Sequence, residues 1–325
     1  MKTLFILLSL LSASFVFSLG LGEVTFPARD VLGALTGDAE VPGYITTIVW
    51  DLRLPRAVLA VLVGAALALG GTVTQAIMRN PLAEPGILGI NSGAALAATI
   101  LIVGNTSISA AALPWFSFAG ALGMSVAIYV LSWRDGSNSL RIILIGIGLG
   151  ALSGALASFV ASLGDVASLQ RAIVWLLGSL QDSRWIKSAV LAGWLLLPCL
   201  VIWLFATELD VISFGDDVAR GLGQNVERIR ALMILAVAAI AGAAVSAAGL
   251  VSFVGLLAPH IARALVGRKH KLLLPAAALV GAILVLLADL VARRAFAPVQ
   301  LPVGLMTAML GTPLFAWLFW KKRND

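Results

Sequence analysis

Residues 79–94 run Arg79-Asn80-Pro81-Leu82-Ala83-Glu84-Pro85-Gly86-Ile87-Leu88-Gly89-Ile90-Asn91-Ser92-Gly93-Ala94, and they interrupt a chain that is otherwise strongly apolar. Two prolines and three glycines in sixteen residues release several backbone groups from helical pairing. Hydrocarbon tolerates that only where protein or water takes up the freed N–H and C=O groups. Broken backbone between apolar runs therefore points to a pathway through a membrane.

The apolar runs set the rest of the frame. Hydrophobic residues make up 60% of the chain and charged residues 12%, with a mean hydropathy of +1.03, a balance that excludes a soluble globular protein. A helical span needs about 20 apolar residues, and stretches of that kind centre near residues 12, 67, 95, 123, 152, 197, 245, 282 and 311. The seventh is too long for one crossing: residues 231–259 carry no charge, and apolar character continues past His260 and Arg263 to Val266. It is predicted to be two short spans, broken at Ser246-Ala247-Ala248-Gly249, where small residues let the backbone turn. Parity agrees. Lys2 and Lys321-Lys322-Arg323 both belong on the cytoplasmic side by the positive-inside rule, so the number of crossings is even, and ten satisfies it. The arrangement puts fourteen of the 22 Lys and Arg residues inside and eight outside. The net charge of +6 then follows from topology, and no nucleic-acid partner is implied.

One membrane domain over residues 1–325 accounts for the chain, with an outer loop near 23–52 and a cytoplasmic loop near 207–230. The first twenty residues are predicted to be a retained helix. A signal peptide is the alternative, but Phe15, Phe17 and Leu19 stand where small residues would mark its cleavage site. The single Cys199 excludes an internal disulfide and is expected to pack as a small hydrophobe. Gly146, Gly150, Gly154, Ser158 and Ser162 recur at helical spacing, and the expectation is close internal helix packing, with a contact between two copies as the alternative. Residues 175–180 are apolar but too short to cross, so they lie at the interface or re-enter partway, and Trp185 and Trp194 suit an aromatic belt.

Catalytic and metal-binding patterns are missing from the sequence. It contains no G-x-x-x-x-G-K-[ST], no H-E-x-x-H and no cysteine pair, and His260 and His270 have no paired acid close by in sequence. No predicted span centre holds an Asp or Glu of the kind ion-coupled carriers use. No catalytic residue, metal site or cofactor is predicted, and energy for any transport must come from elsewhere.

Three charged elements break the apolar pattern. Arg53-Leu54-Pro55-Arg56 places cations outside, at a helix N-terminus whose dipole disfavours them. Asp289 can pair with Arg293 four residues on, beside Arg294. Snorkelling to lipid headgroups and docking of an acidic partner explain these cations equally well. On the inner side, residues 209–228 are predicted to form two short helices separated by Gly221 and Gly223, with Asp216 and Asp217 in a first turn and Asn225 as a cap. Such an element is a solvated connector or a dock for a soluble motor.

These blocks resemble the permease family of the ABC importers for iron-siderophore complexes, vitamin B12 and heme. The resemblance runs from Arg53 to Lys322 and rests on Arg53-Leu54-Pro55-Arg56, Arg79-Asn80-Pro81-Leu82-Ala83 with Pro85-Gly86-Ile87-Leu88-Gly89, the 215–223 loop, Ser252-Phe253-Val254-Gly255-Leu256 with Pro259-His260-Ile261-Ala262-Arg263, and Leu301-Pro302-Val303-Gly304. It implies an all-α integral membrane fold of about ten transmembrane helices, like the vitamin B12 permease, in a bacterial inner membrane with both termini cytoplasmic. It further implies a second permease chain (a homodimer or heterodimer), two ATP-binding cassette subunits that hydrolyse the ATP, and a periplasmic substrate-binding protein. By residue, it places binding-protein docking at Arg53, Arg56 and Arg293, ATPase coupling at Asp216, Asp217, Arg220, Gly221 and Gly223, and an inner gate at Asn80 and Leu82. Gln300, where relatives often carry an acid, and Glu84 depart from the pattern. Ferric siderophores are the preferred substrate, with vitamin B12 or heme as alternatives. An ion-coupled carrier is the rival from another class; it would work alone on an ion gradient.

Overall fold

The computed structural model describes residues 2–22, 24–104, 110–134, 136–297 and 299–322, and every regular element among them is helical. Hydrocarbon dictates the choice, because an open backbone polar group costs several kcal/mol there and a helix pairs all but its ends. The chain begins with α1 (Lys2–Gly20). Between residues 23 and 52, where a loop is expected, stand α2 (Ala28–Thr36), α3 (Gly43–Thr47) and a π-helical turn (Ile48–Arg53) that runs into α4 (Leu54–Met78). After the 79–89 break come α5 (Ile90–Val103), α6 (Leu113–Ser132), α7 (Ser139–Ser162), α8 (Val166–Leu176) and α9 (Trp185–Leu204). The inner loop carries α10 (Ala206–Ile212) and α11 (Asp216–Gly221), followed by α12 (Val226–Ala248), α13 (Val254–Val266), α14 (His270–Arg294) and α15 (Val303–Lys322).

Each of the ten predicted spans coincides with a helix. Among the described residues, seven helical stretches have the length and apolarity to cross, whereas α5 and α13 have only 14 and 13 residues. At 1.5 Å per residue these reach roughly 20 Å, short of the roughly 30 Å of a hydrocarbon core, so neither helix spans it by itself. The long peak divides as expected, α12 ending at Ala248 and α13 starting at Val254.

At the centre α4 packs against α12, α13 and α14. Lipid tails are as apolar as leucine, so helix association here depends on close packing. A Cβ on Gly64 would stand 2.2 Å from the Gly281 carbonyl oxygen, and one on Gly71 only 1.8 Å from that of Gly255. Gly93 and Gly120 join α5 to α6 in the same way. On α7 the expected internal packing is met only at the inner end, where Gly146 meets the Ile87 carbonyl. Gly154, Ser158 and Ser162 lie exposed in this chain, with open space at Gly154. Trp194 packs against Trp115 and Phe118 of α6, and Trp185 donates to the Trp50 carbonyl.

Candidate functional site

The inner break is built from α4 outward. Arg79 closes the helix in the left-handed region at φ 49°, and its N–H and that of Asn80 donate to Ala76 and Gln75. Asn80 then holds the next turn by itself: its Oδ1 accepts the Leu82 N–H at 2.9 Å and its carbonyl accepts that of Ala83 at 3.1 Å. Leu82 is left exposed at the inner end. A short 3-10 turn (Pro85–Leu88) carries the chain back toward the bilayer interior, Pro85 fitting against Gly70 and Gly255. Ser125 of α6 caps the Leu88 carbonyl at 2.8 Å. Protein groups thus satisfy the backbone that the two prolines free.

The outer break spans residues 249–253. Gly249 at φ 72° turns the chain away from α12, and the Ala248 carbonyl accepts the Ser179 N–H at 2.7 Å. Gly178 in turn accepts from Gly304 at the start of α15. The apolar 175–180 piece therefore covers this break. Within α13, Pro259 has no N–H to give the Gly255 carbonyl. The Gln75 side chain supplies the missing donor, with Nε2 at 3.4 Å from the carbonyls of Gly255 and Leu256, and its Oε1 accepts from Arg263.

At the outer face the three arginines of interest are buried in the chain itself. Arg53, 7% exposed, donates to the Leu19 carbonyl at 2.7 Å and covers the Phe26 ring. Arg56 grips Asp289 through Nε and an Nη at 2.9–3.1 Å and reaches Gln300 Oε1 at 2.8 Å. Arg293 takes the other side of Asp289 at 3.1 Å, the pairing expected from their spacing, and donates to Ser18. Asp289 itself has no exposed surface. Of the charged residues at this end of α14, Asp289 and Arg293 are buried and Arg294 is exposed.

The inner element differs from expectation in one respect: α10 and α11 are divided at residues 213–215, with Gly215 at φ 119°, while Gly221 and Gly223 lead into α12. Asp216 and Asp217 do occupy the first turn of α11, and Asn225 caps α12 by accepting the Arg228 N–H. Asp216 pairs with fully buried Arg230 at 2.8 Å and with Arg79 at 3.8 Å. Arg220 bridges Asp217 and Glu227, and a Cβ on Gly221 or Gly223 would meet open space. His270, without an acid close by in sequence, receives one in space: Asp210 of α10 accepts its backbone N–H at 2.9 Å and lies 2.6 Å from Nδ1. This fastens α10 to the foot of α14.

Sequence reasoning missed an apolar feature on the same element. Phe214, Val218 and Leu222 are 76%, 49% and 70% exposed; they are four residues apart in sequence and stand just before, within and just after α11. They stand among the charged residues Asp216, Asp217 and Arg220. Their spacing was the available signal, hidden by the charges between them.

Relatives extend over nearly the whole chain. The FecCD transport family matches residues 10–321. The chain is 37% identical, over 98% of its length and 94% of the other's, to a Bacillus subtilis (strain 168) protein named as a siderophore transport system permease, YfhA. It is 39% identical to the hemin transport system permease protein HmuU of Yersinia pestis, covering 95% of this chain and 92% of that one. Among solved structures, a chain assigned to the metal-chelate type ABC transporters, in an inward-facing conformation, superposes with a TM-score of 0.86 at 32% identity, covering 98% of this chain and 99% of the other. The buried arginine cluster, the two breaks and the inner helical pair therefore belong to a non-enzymatic ABC importer permease, for which separate subunits hydrolyse ATP, and the chain is a member of the FecCD transport family.

Proposed function

We propose that the substrate is a ferric siderophore complex, carried inward at the interface of two permease chains in a bacterial inner membrane, with both termini cytoplasmic. The observation that carries this reading is the near full-length relationship to a siderophore permease. The exposed outer part of the α7 stripe, with small residues and open space at Gly154, suits close approach of a second copy or a sister chain. The hemin relative at 39% identity supports heme as a second reading. Uptake measured in a strain lacking its own permease, across ferric hydroxamates, ferric catecholates, hemin and vitamin B12, tests the choice. Ferric chelates should be the only cargo to accumulate; accumulation of hemin or B12 alone replaces the substrate.

The inner element Asp216, Asp217, Arg220, Gly221 and Gly223 is proposed to seat in the ATPase, with Phe214, Val218 and Leu222 as its apolar contact. Leu222→Asp leaves every internal hydrogen bond in place and should reduce ATPase co-purification at least about tenfold, the effect of losing one central interface anchor. Full recovery of the ATPase with this variant removes the apolar contact from the interface.

Arg53, Arg56 and Arg293 are proposed to set the positive field under the docking surface of an acidic periplasmic binding protein. Two guanidiniums share one carboxylate in the Arg56–Asp289–Arg293 cluster, which leaves an excess of positive charge close to the surface. Arg294→Glu changes the exposed charge there without touching the buried cluster. Binding-protein association should fall at low salt, and the difference should shrink as salt rises. Equal affinity across the salt series takes this end of α14 out of the docking surface.

A further inference from the structure

Arg79 sits at a backbone position that suits glycine. Its φ of 49° lies in the left-handed region, shared among described non-glycine residues only by Phe253. That conformation is strained for a residue with a Cβ, and a helix ending this way usually places glycine there. The side chain kept at that cost reaches the inner helical pair. One guanidinium nitrogen is 3.8 Å from Asp216 of α11, and another lies 3.3 Å from where a Cβ on Gly215 would stand, at the joint of α10 and α11. The residue that follows, Asn80, holds the Leu82 turn through its own side chain. Arg79 thus has its backbone in the turn and its charge on the inner element.

The two contacts of Asp216 differ in kind. Its 2.8 Å pair with Arg230 involves a guanidinium with no exposed surface, whereas Arg79 is 43% exposed at 3.8 Å. The first fixes α11 to α12; the second is free to lengthen, shorten or turn as α11 moves.

We propose that Arg79 is a positioning residue that passes displacement of the α10–α11 element to the Asn80–Leu82 turn, so that ATPase movement opens or closes the inner gate. The inference rests on the proposed reading of α11 as the ATPase seat and of Asn80 and Leu82 as the gate. Arg79→Gly separates transmission from folding, because it relieves the left-handed strain while removing the guanidinium.

The test uses the permease assembled with its ATPase subunits, carrying Cys199→Ser and Leu82→Cys so that the gate holds the single thiol. Labelling of that thiol by a water-soluble maleimide is timed with and without ATP. With Arg79 present, ATP should change the labelling rate by about fivefold or more, the lower range of a site-to-site coupling. Arg79→Gly should lose the response while the melting temperature stays level or rises and the ATPase remains bound, and Arg79→Lys should restore it in part. A retained ATP response in Arg79→Gly overturns the proposal. So does a lower melting temperature, which would make Arg79 a structural cap only. If the parent with Arg79 binds its ATPase yet shows no response, the gate reading itself fails, and loss of ATPase binding by the parent defeats the docking reading.

Discussion

Gly71→Ala is expected to cut the yield of folded permease and to lower its melting midpoint sharply. The added methyl would stand 1.8 Å from the Gly255 carbonyl oxygen and 2.5–2.6 Å from the carbon atoms beside it. All three are backbone atoms, so no side chain can turn aside, and α4 and α13 must separate by more than 1 Å, taking ordinary contact as about 3.5 Å. That separation withdraws Gln75 from the Gly255 and Leu256 carbonyls, which it reaches only at 3.4 Å. Pro259 has already removed the helical donor for the first of these. Overpacking costs about 1–3 kcal/mol, and a buried carbonyl left open adds about 1–3 kcal/mol. Together they consume much of a typical stability of about 5–15 kcal/mol. The readouts are the yield of monodisperse protein in detergent and the melting midpoint from tryptophan fluorescence. Gly193→Ala on α9 is the control: its Cβ meets nothing within 4 Å, so the midpoint should hold or rise slightly. A Gly71→Ala protein that melts with the wild type would contradict the α4–α13 contact.

This contact illustrates what the sequence could and could not convey. Helix positions were legible because hydrocarbon permits few alternatives, and both breaks announced themselves through Pro81, Pro85 and Gly86 and through Ser246 to Gly249. That Gly71 faces Gly255 across 184 positions was not legible, since a glycine in an apolar run looks the same whether it touches a helix or lipid. Gln75 is a similar case. A lone amide in α4 gains its meaning only from Pro259 and Arg263, which the fold brings beside it.

The charged elements divide along the same line. The i, i+4 spacing announced the Asp289–Arg293 pair, and local rules placed Asp216, Asp217 and Asn225. Burial of Arg53 and Arg56 was hidden, because it depends on the end of α1, on Ser18 to Gly20, and on α14 closing over them. The same closure makes these arginines internal ties between α1, α4 and α14. His270 was read as isolated only because Asp210 stands sixty residues earlier.

Asp289→Asn is expected to show the second large effect, lowering the melting midpoint sharply. Asp289 is the one carboxylate between Arg56 and Arg293, and none of its surface is exposed. Neutralising it leaves two guanidiniums in a site shielded from water, a change that costs about 3–5 kcal/mol where a buried pair loses one partner. The cause can be isolated by a second substitution. Gln300 Oε1 already accepts from Arg56 at 2.8 Å, so Gln300→Glu places a new negative charge on the same guanidinium with no change in side-chain length. Added to Asp289→Asn, it should recover part of the lost midpoint; alone, it should raise the wild-type midpoint, because one carboxylate otherwise serves two cations. Double-mutant-cycle analysis of the four midpoints should give a coupling of about 1 kcal/mol or more, as for charges in one network. Additive effects would mean that Asp289 and Gln300 act on separate charges, and an Asp289→Asn midpoint equal to the wild type would mean that Arg56 and Arg293 are balanced by groups other than this carboxylate.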